Sequence, residues 1–355
     1  MASPFDVQLW DACSVGDLDL VKSLCLNPSV SVVWKDPEHL RTPFYRACFF
    51  GHLPVIEYLL QDPRIDVNVQ QHQGCTPFYV ACWRGDVALV TMLMAHQGIE
   101  VNVESYEGVT PLTVACEMGH TAVVLRLLAN PNVDVNLVTT EGSSPFLIAC
   151  DNGFADLVRL FLADPRVSTA QPNSNGITPL WMASQNGHLE IVQLILVSER
   201  EANLQDKSTS GTDAWNDMNA LEVARWSVSE PRDPEESDEE YALRSQNCPA
   251  VVTWLEAFEA DPEATRRRLR QLPHLRDPFI SDTFALLVFL CDGLLTLKPE
   301  TSDAARFFQA ARRLPLELQM VLCNRMFGSR KDIVLIRNSE PAFKRVARQF
   351  LTKAS

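Results

Sequence analysis

The sequence predicts an all-α repeat solenoid of helix-turn-helix units with extended turns, followed by a small helical domain. Three observations carry this expectation. A Pro recurs every 34 residues, at Pro43, Pro77, Pro111, Pro145 and Pro179, with an Ala four residues on (Ala47, Ala81, Ala115, Ala149, Ala183) and a Gly four further (Gly51, Gly85, Gly119, Gly153, Gly187). Each Gly is followed by apolar residues on one helical face, as at Leu89, Val90, Leu93 and Met94. Each apolar set is followed by an extended polar stretch, Ile65-Asp66-Val67-Asn68 and its echoes at 99–102 and 133–136, and then by a Gly at Gly74, Gly108, Gly142 or Gly176. A fixed period of this length marks stacked supersecondary units rather than one closed core. Such stacks expose long surfaces suited to binding.

The elements follow in order. Residues 1–34 read as an N-terminal capping unit, in which Ala12-Cys13, Gly16 and the set Leu20, Val21, Leu24 and Cys25 recur without a Thr-Pro. Residues 35–204 hold the five regular units. Within one, Thr76 can cap a helix with its hydroxyl, and Pro77 suits the first helical position because the missing N–H had no partner there. Ala81 permits close helix contact, and Gly85 ends the helix in a left-handed conformation. The second helix recurs as Val55, Ile56, Leu59, Leu60, then Val123, Val124, Leu127, Leu128, and so on to Ile191, Val192, Ile195, Leu196. Asp62-Pro63 and Asp164-Pro165 place an extra residue after that helix. Thr169-Ala170 departs from Val-Asn, so that turn is expected to be held less tightly. Residues 205–260 read as a degenerate unit. Asn219–Ala224 is its first helix, a solvated, mobile acidic insertion covers 231–240, and its second helix runs over 250–258. Residues 261–355 lose the period and read as helices at 266–270, 284–297, 304–313, 316–326 and 341–351.

Composition narrows the function. The net charge of −14 is uneven: residues 262–355 carry +8 and residues 1–261 carry −22. A repeat region so acidic repels phosphate backbones, so no nucleic-acid partner is expected. The apolar run at 284–297 is broken by Cys291-Asp292-Gly293 and too short to span a bilayer, and the first nine residues do not form a signal peptide. No membrane association is expected, and the location expected is cytoplasmic or nuclear. Ten cysteines, many within apolar helical runs, read as reduced core residues.

The pattern Gly-x-Thr-Pro, Ala, Gly-His, Val-Val, Leu-Leu, Asp-Val-Asn resembles the ankyrin repeat over roughly residues 35–204. The resemblance implies a protein–protein interaction adaptor or scaffold, a monomer whose partners meet the turn tips and the exposed side of the first helices. Past the Ala-Cys pairs lie Phe49, Phe50, Trp83, Arg84, Glu117 and Met118; at the tips lie His39, Arg41, His72, Gln73, Tyr106 and Glu107. Early units offer aromatics and Arg, later ones acids and amides. Aromatic and Arg side chains dominate interface energetics. Phe49, Phe50, Trp83, Arg84, Tyr106 and Met118, with His72 and Glu107, are therefore the candidate partner-binding residues. The competing reading has Phe49, Phe50 and Met118 packed against an adjacent loop.

In the C-terminal domain, Leu314-Pro315-Leu316-Glu317-Leu318 looks like the opening of an F-box, without that family's later Trp. This implies a second reading: a ubiquitin-ligase substrate receptor whose Leu314, Pro315, Leu316 and Leu318 dock a ligase bridging subunit. The tail also looks like that of fungal ankyrin proteins, a likeness that specifies no activity. No phosphate-binding Gly-rich loop, His-Glu-x-x-His or Gly-x-Ser-x-Gly occurs. Cys48/His52 and Cys116/His120 have helical ligand spacing, but Gly51 and Gly119 interrupt each pair and no second pair completes four ligands. No catalytic residue, cofactor or metal is expected.

Overall fold

The computed structural model describes residues 3–209, 215–230, 237–272 and 275. It divides the chain into two compact units, Met1–Pro262 and Glu263–Ser355. Among the described residues there are fifteen helices and no strand.

The first unit is a series of helical hairpins. They are α1 Pro4–Val15 with α2 Leu18–Cys25, α3 Pro43–Phe50 with α4 Leu53–Leu59, and α5 Pro77–Trp83 with α6 Val87–Met94. Next come α7 Pro111–Glu117 with α8 Thr121–Leu128, α9 Pro145–Asp151 with α10 Ala155–Ala163, and α11 Pro179–Gln185 with α12 Leu189–Val197. The last is α13 Ala220–Ser229 with α14 Asp238–Ala260. First helices touch in chain order from α1 through α13, and second helices form another row. The second compact unit begins at Glu263, inside α15, Pro262–Leu269, which carries an Arg266–Glu263 pair at 3.1 Å.

The local chemistry repeats with the sequence. Thr42, Thr76, Thr110, Ser144 and Thr178 each accept the backbone N–H three residues on at 3.1–3.2 Å, capping the first helices. Phe44, Phe78, Leu112, Phe146 and Leu180 share one register and are buried between the rows. Full burial of each such side chain contributes about 1.5–3 kcal/mol.

Three sets of recurring bonds tie hairpins to their neighbours. At the tips, His72, Tyr106, Thr140 and Ser174 donate backbone N–H to His39, Gln73, Glu107 and Glu141 at 2.9–3.1 Å. Asn68, Asn102 and Asn136 each donate to the carbonyl of Gly98, Asn132 or Arg166 one unit on and accept the backbone N–H of Glu100, Asp134 or Ser168. His52, His120 and His188 meet the carbonyls of Ser14, Trp83 and Asp151 through Nε2 at 3.0, 2.9 and 2.8 Å. The Asp-Pro-Arg segments add a fourth tie. Arg64 pairs with Asp62 and reaches the Cys25 carbonyl, and Arg166 pairs with Asp164 and reaches the Leu128 carbonyl.

Two expectations change. Thr169 and Ala170 do not loosen their turn: both are buried, and Thr169 Oγ1 donates to the Glu201 carbonyl at 2.9 Å where the Asn ladder stops. The second helix of the last hairpin runs from Asp238, not from residue 250, so residues 238–240 are helical rather than loop. Its first half is drawn onto the preceding hairpin. Cys248 Sγ lies 3.8 Å from the Ser184 carbonyl, and a Cβ on Gly187 would lie 3.0 Å from Arg244 Cα, while Arg244 also donates to the Ser227 carbonyl of its own hairpin at 2.8 Å. The helix continues through Pro249. Residues 231–236 of the expected acidic loop lie outside the described residues, as do the helices expected between 284 and 351 and the ligase-docking candidates Leu314, Pro315, Leu316 and Leu318.

Candidate functional site

In the five regular units the first helix ends at or just before its Gly and turns back, which leaves the two preceding residues pointing away from the core. Phe49 and Phe50 occupy this place on α3, and Trp83 and Arg84 on α5. Glu117 and Met118 follow on α7. Phe50, Trp83 and Met118 are 40%, 41% and 46% exposed, while Phe49 is half-buried.

These residues form one stack over the first units. Phe49 lies edge-on to Phe50 at 5.2 Å between ring centroids and stacks on Trp83 at 6.1 Å. Arg84 Nη1 donates to the Phe49 carbonyl at 2.6 Å, and His120 meets the Trp83 carbonyl. Phe49 therefore packs against a neighbouring aromatic ring and not merely against a loop.

Three members escaped the sequence reading. Trp10, on α1, lies 4.1 Å beneath the Arg46 guanidinium, which also covers the Phe50 ring at 4.6 Å. Arg46 Nε donates to Ser14 Oγ at 3.1 Å. Arg46 was legible by register, because Val80, Val114 and Ile148 hold its place in later units and are all buried. Leu40 was legible too. It stands where later tips have Gly74, Gly108, Gly142 and Gly176, and it takes their left-handed backbone at φ 59° while 42% exposed. A non-Gly residue held there costs energy, and such strain gathers at ligand-contacting positions.

The tip candidates form a second cluster. His72, Tyr106 and Glu107 are exposed, Tyr106 by 71%, and the tip ladder joins them. A first helix of seven residues separates tips from helix ends by about 10 Å. Arg41 spans that gap: its guanidinium lies 5.9 Å from the Tyr45 ring and 5.5 Å from the Phe49 ring.

Charge changes sign along this face. Arg41, Arg46 and Arg84 serve the first two regular units. Burial, and then the like charge of Arg41, hold Arg46 below the ordinary guanidinium value. On α7, half-burial and the nearby Glu107 push the Glu117 carboxyl up. On α9, burial raises Asp151 despite a 2.9 Å bond from Asn186. The arrangement offers flat apolar rings with cationic edges at one end and carboxylates at the other. Among the described residues, no group of three His, Cys, Asp or Glu is placed to hold a metal ion.

No curated protein matches the chain. The family model for ankyrin repeats (3 copies) matches residues 9–105, 66–138 and 112–208, which together span more than half the sequence and reach into the N-terminal hairpin. With that match and the capped, Gly-terminated hairpins stacked in register, the chain belongs to the ankyrin-repeat family.

Proposed function

We propose that this chain is a protein-binding adaptor whose docking surface is the helix-end stack of its first three regular units. Ankyrin repeats are protein–protein interaction modules. The observation carrying the assignment is the contiguous stack of Phe49, Phe50 and Trp83, two of them about 40% exposed and laced with Arg84. Rigid aromatics and Arg supply contact area at low entropic cost. Met118, His72, Tyr106 and Glu107 extend the surface along α7 and the tips. No described helix is long and apolar enough to cross a membrane.

Affinity capture with the intact chain tests the assignment. The Phe50→Ala, Trp83→Ala double variant should lose the proteins that the wild type retains, with its helical circular dichroism unchanged. Undiminished capture by the folded variant rejects this surface.

The ubiquitin-ligase reading rests on the residue pattern at Leu314–Leu318. It is tested on the full chain by binding to a purified bridging subunit, which Leu316→Asp should abolish. No binding by the wild type rejects it.

A further inference from the structure

We propose that the face made by Trp10, Arg41, Arg46, Phe49, Phe50 and Trp83 seats an acidic segment of a partner protein, rich in Asp and Glu and carrying apolar side chains. This rests on the docking surface assigned above and names the chemistry it selects.

The first regular unit breaks its own pattern with two cations. Arg41 takes the register of Cys75, Val109 and Ile177, and Arg46 that of Val80, Val114 and Ile148, all of which are buried. In later units these registers hold uncharged residues, apolar except for Ser143, so stacking alone does not call for guanidinium groups. Partial burial of a charge without a counter-charge is costly.

Four arginines elsewhere in the stack are ion-paired, Arg64 with Asp62, Arg159 with Glu190, Arg166 with Asp164, and Arg225 with Glu256, and Arg200 is spent on the carbonyls of Asp164 and Val167. Arg41, Arg46 and Arg84 have no ion pair with any described residue. The nearest carboxylates do not take that role. Asp36 accepts the backbone N–H groups of His39 and Arg41 at 2.8 and 2.6 Å, and it and Asp11 act on Arg46 through space without an ion pair. Arg41 Nε is buried with no acceptor among the described residues.

The cations sit over rings, with Arg46 over Trp10 and Phe50, and Arg41 toward Phe49. A guanidinium held over a ring can still turn N–H groups to a carboxylate, which an arginine grips with two parallel hydrogen bonds; on Arg46 the terminal nitrogens are the ones left, since Nε donates to Ser14. The rings beside it offer apolar area to intervening side chains. Glu107 and Glu117 bound the site on the next unit and repel any acidic run that continues past it. Within a region of net charge −22, this is a local reversal of sign, the electrostatic complementarity that selects an acidic partner.

The test pans a random dodecapeptide phage library on the intact chain, then measures the selected peptides by fluorescence anisotropy. Enrichment of Asp and Glu beside apolar residues is expected, with binding that weakens as salt rises from 0.05 to 0.5 M, roughly the range over which exposed charge pairs become screened. Arg41→Gln with Arg46→Gln should weaken these peptides at least about tenfold, the scale of removing one side of a desolvated charge pair. Arg126→Gln, on α8, should change nothing. The salt titration is read on the wild type, so it holds even if the double variant unfolds. Selection of neutral or basic peptides that still need Trp83 overturns the acidic chemistry and keeps the surface. Selection of peptides indifferent to both Trp83→Ala and the arginine variants overturns the surface as well. Failure to enrich any peptide also overturns the proposal.

Discussion

Gly108→Ala adds one methyl group at a tip, and its cost follows from two separate constraints. Gly108 has φ +72°, and an L-residue pays roughly 1–2 kcal/mol to enter that left-handed region. Its new Cβ would also lie 2.9 Å from the Thr140 nitrogen and 3.1 Å from the Thr139 carbonyl carbon. Those are backbone atoms of the next tip, so the tip itself must move. The movement stretches the 3.0 Å bond from Thr140 N–H to the Glu107 carbonyl, whose net contribution is about 0.5–1.5 kcal/mol. Against these losses, Ala restricts the unfolded chain by about 0.4–1 kcal/mol relative to Gly. The balance is a destabilisation of about 1–3 kcal/mol. Gly98→Ala is the control. Its backbone is not left-handed, and its Cβ would meet nothing closer than His96 Cε1 at 3.4 Å, an ordinary contact. That change should stabilise by about 0.4–1 kcal/mol. Urea unfolding of both variants, followed by circular dichroism at constant slope, reads the gap between them. Leu40, already at φ 59°, shows that the first tip carries the backbone cost but not how later tips meet the steric one. If Gly108→Ala falls within 0.5 kcal/mol of Gly98→Ala, tip-to-tip contact does not hold the stack as described.

Three further outcomes are expected. Trp181→Ala removes a fully buried ring and its 2.9 Å bond to the Met218 carbonyl, so it should cost about 3–5 kcal/mol, while Trp83→Ala, 41% exposed, should cost about 1–2; equal costs in urea unfolding refute the core and surface placements. Hydrogen bonds from Arg166 hold Asp164 below the usual carboxylate range, so its contribution is full above the unfolded value near 3.8 and is lost as pH falls through the lower folded one. Asp164→Asn should therefore flatten the fall of the melting temperature below pH 4, and an unchanged acid limb argues against that pairing. The eight described free cysteines are buried, and burial pushes up the thiols at Cys48, Cys82, Cys116 and Cys150. These four should react with a thiol reagent only at the rate of unfolding; prompt modification of Cys82 in the native protein contradicts its placement.

Much of this molecule was legible in the sequence because its repeat is made of short-range rules. Thr-Pro starts, Gly stops and the spacing of Val55, Ile56 and Leu59 act within one or two helical turns, so they predict each hairpin without knowledge of its neighbours. The same locality placed Phe50, Trp83 and Met118 at exposed helix ends. It failed for α14. Asp238–Glu240 looks like an acidic loop in isolation, yet acids suit a helix N-terminus, and contact of Cys248 with Ser184 and of Arg244 with Gly187 on the preceding hairpin makes the longer helix favourable.

The amino-acid order by itself determined the repeat, its caps, its buried register and its acidic balance. Only tertiary structure decided which side chains meet across the 34-residue step. Arg46 over Trp10 and Phe50, Phe49 on Trp83, and Asn102 on residues 132 and 134 are partners brought together by stacking rather than by neighbouring places in one helix. Helical periodicity specifies which face a residue occupies. The identity of what faces it depends on how one hairpin seats on the next, and that is set by the summed fit of all the contacts between them.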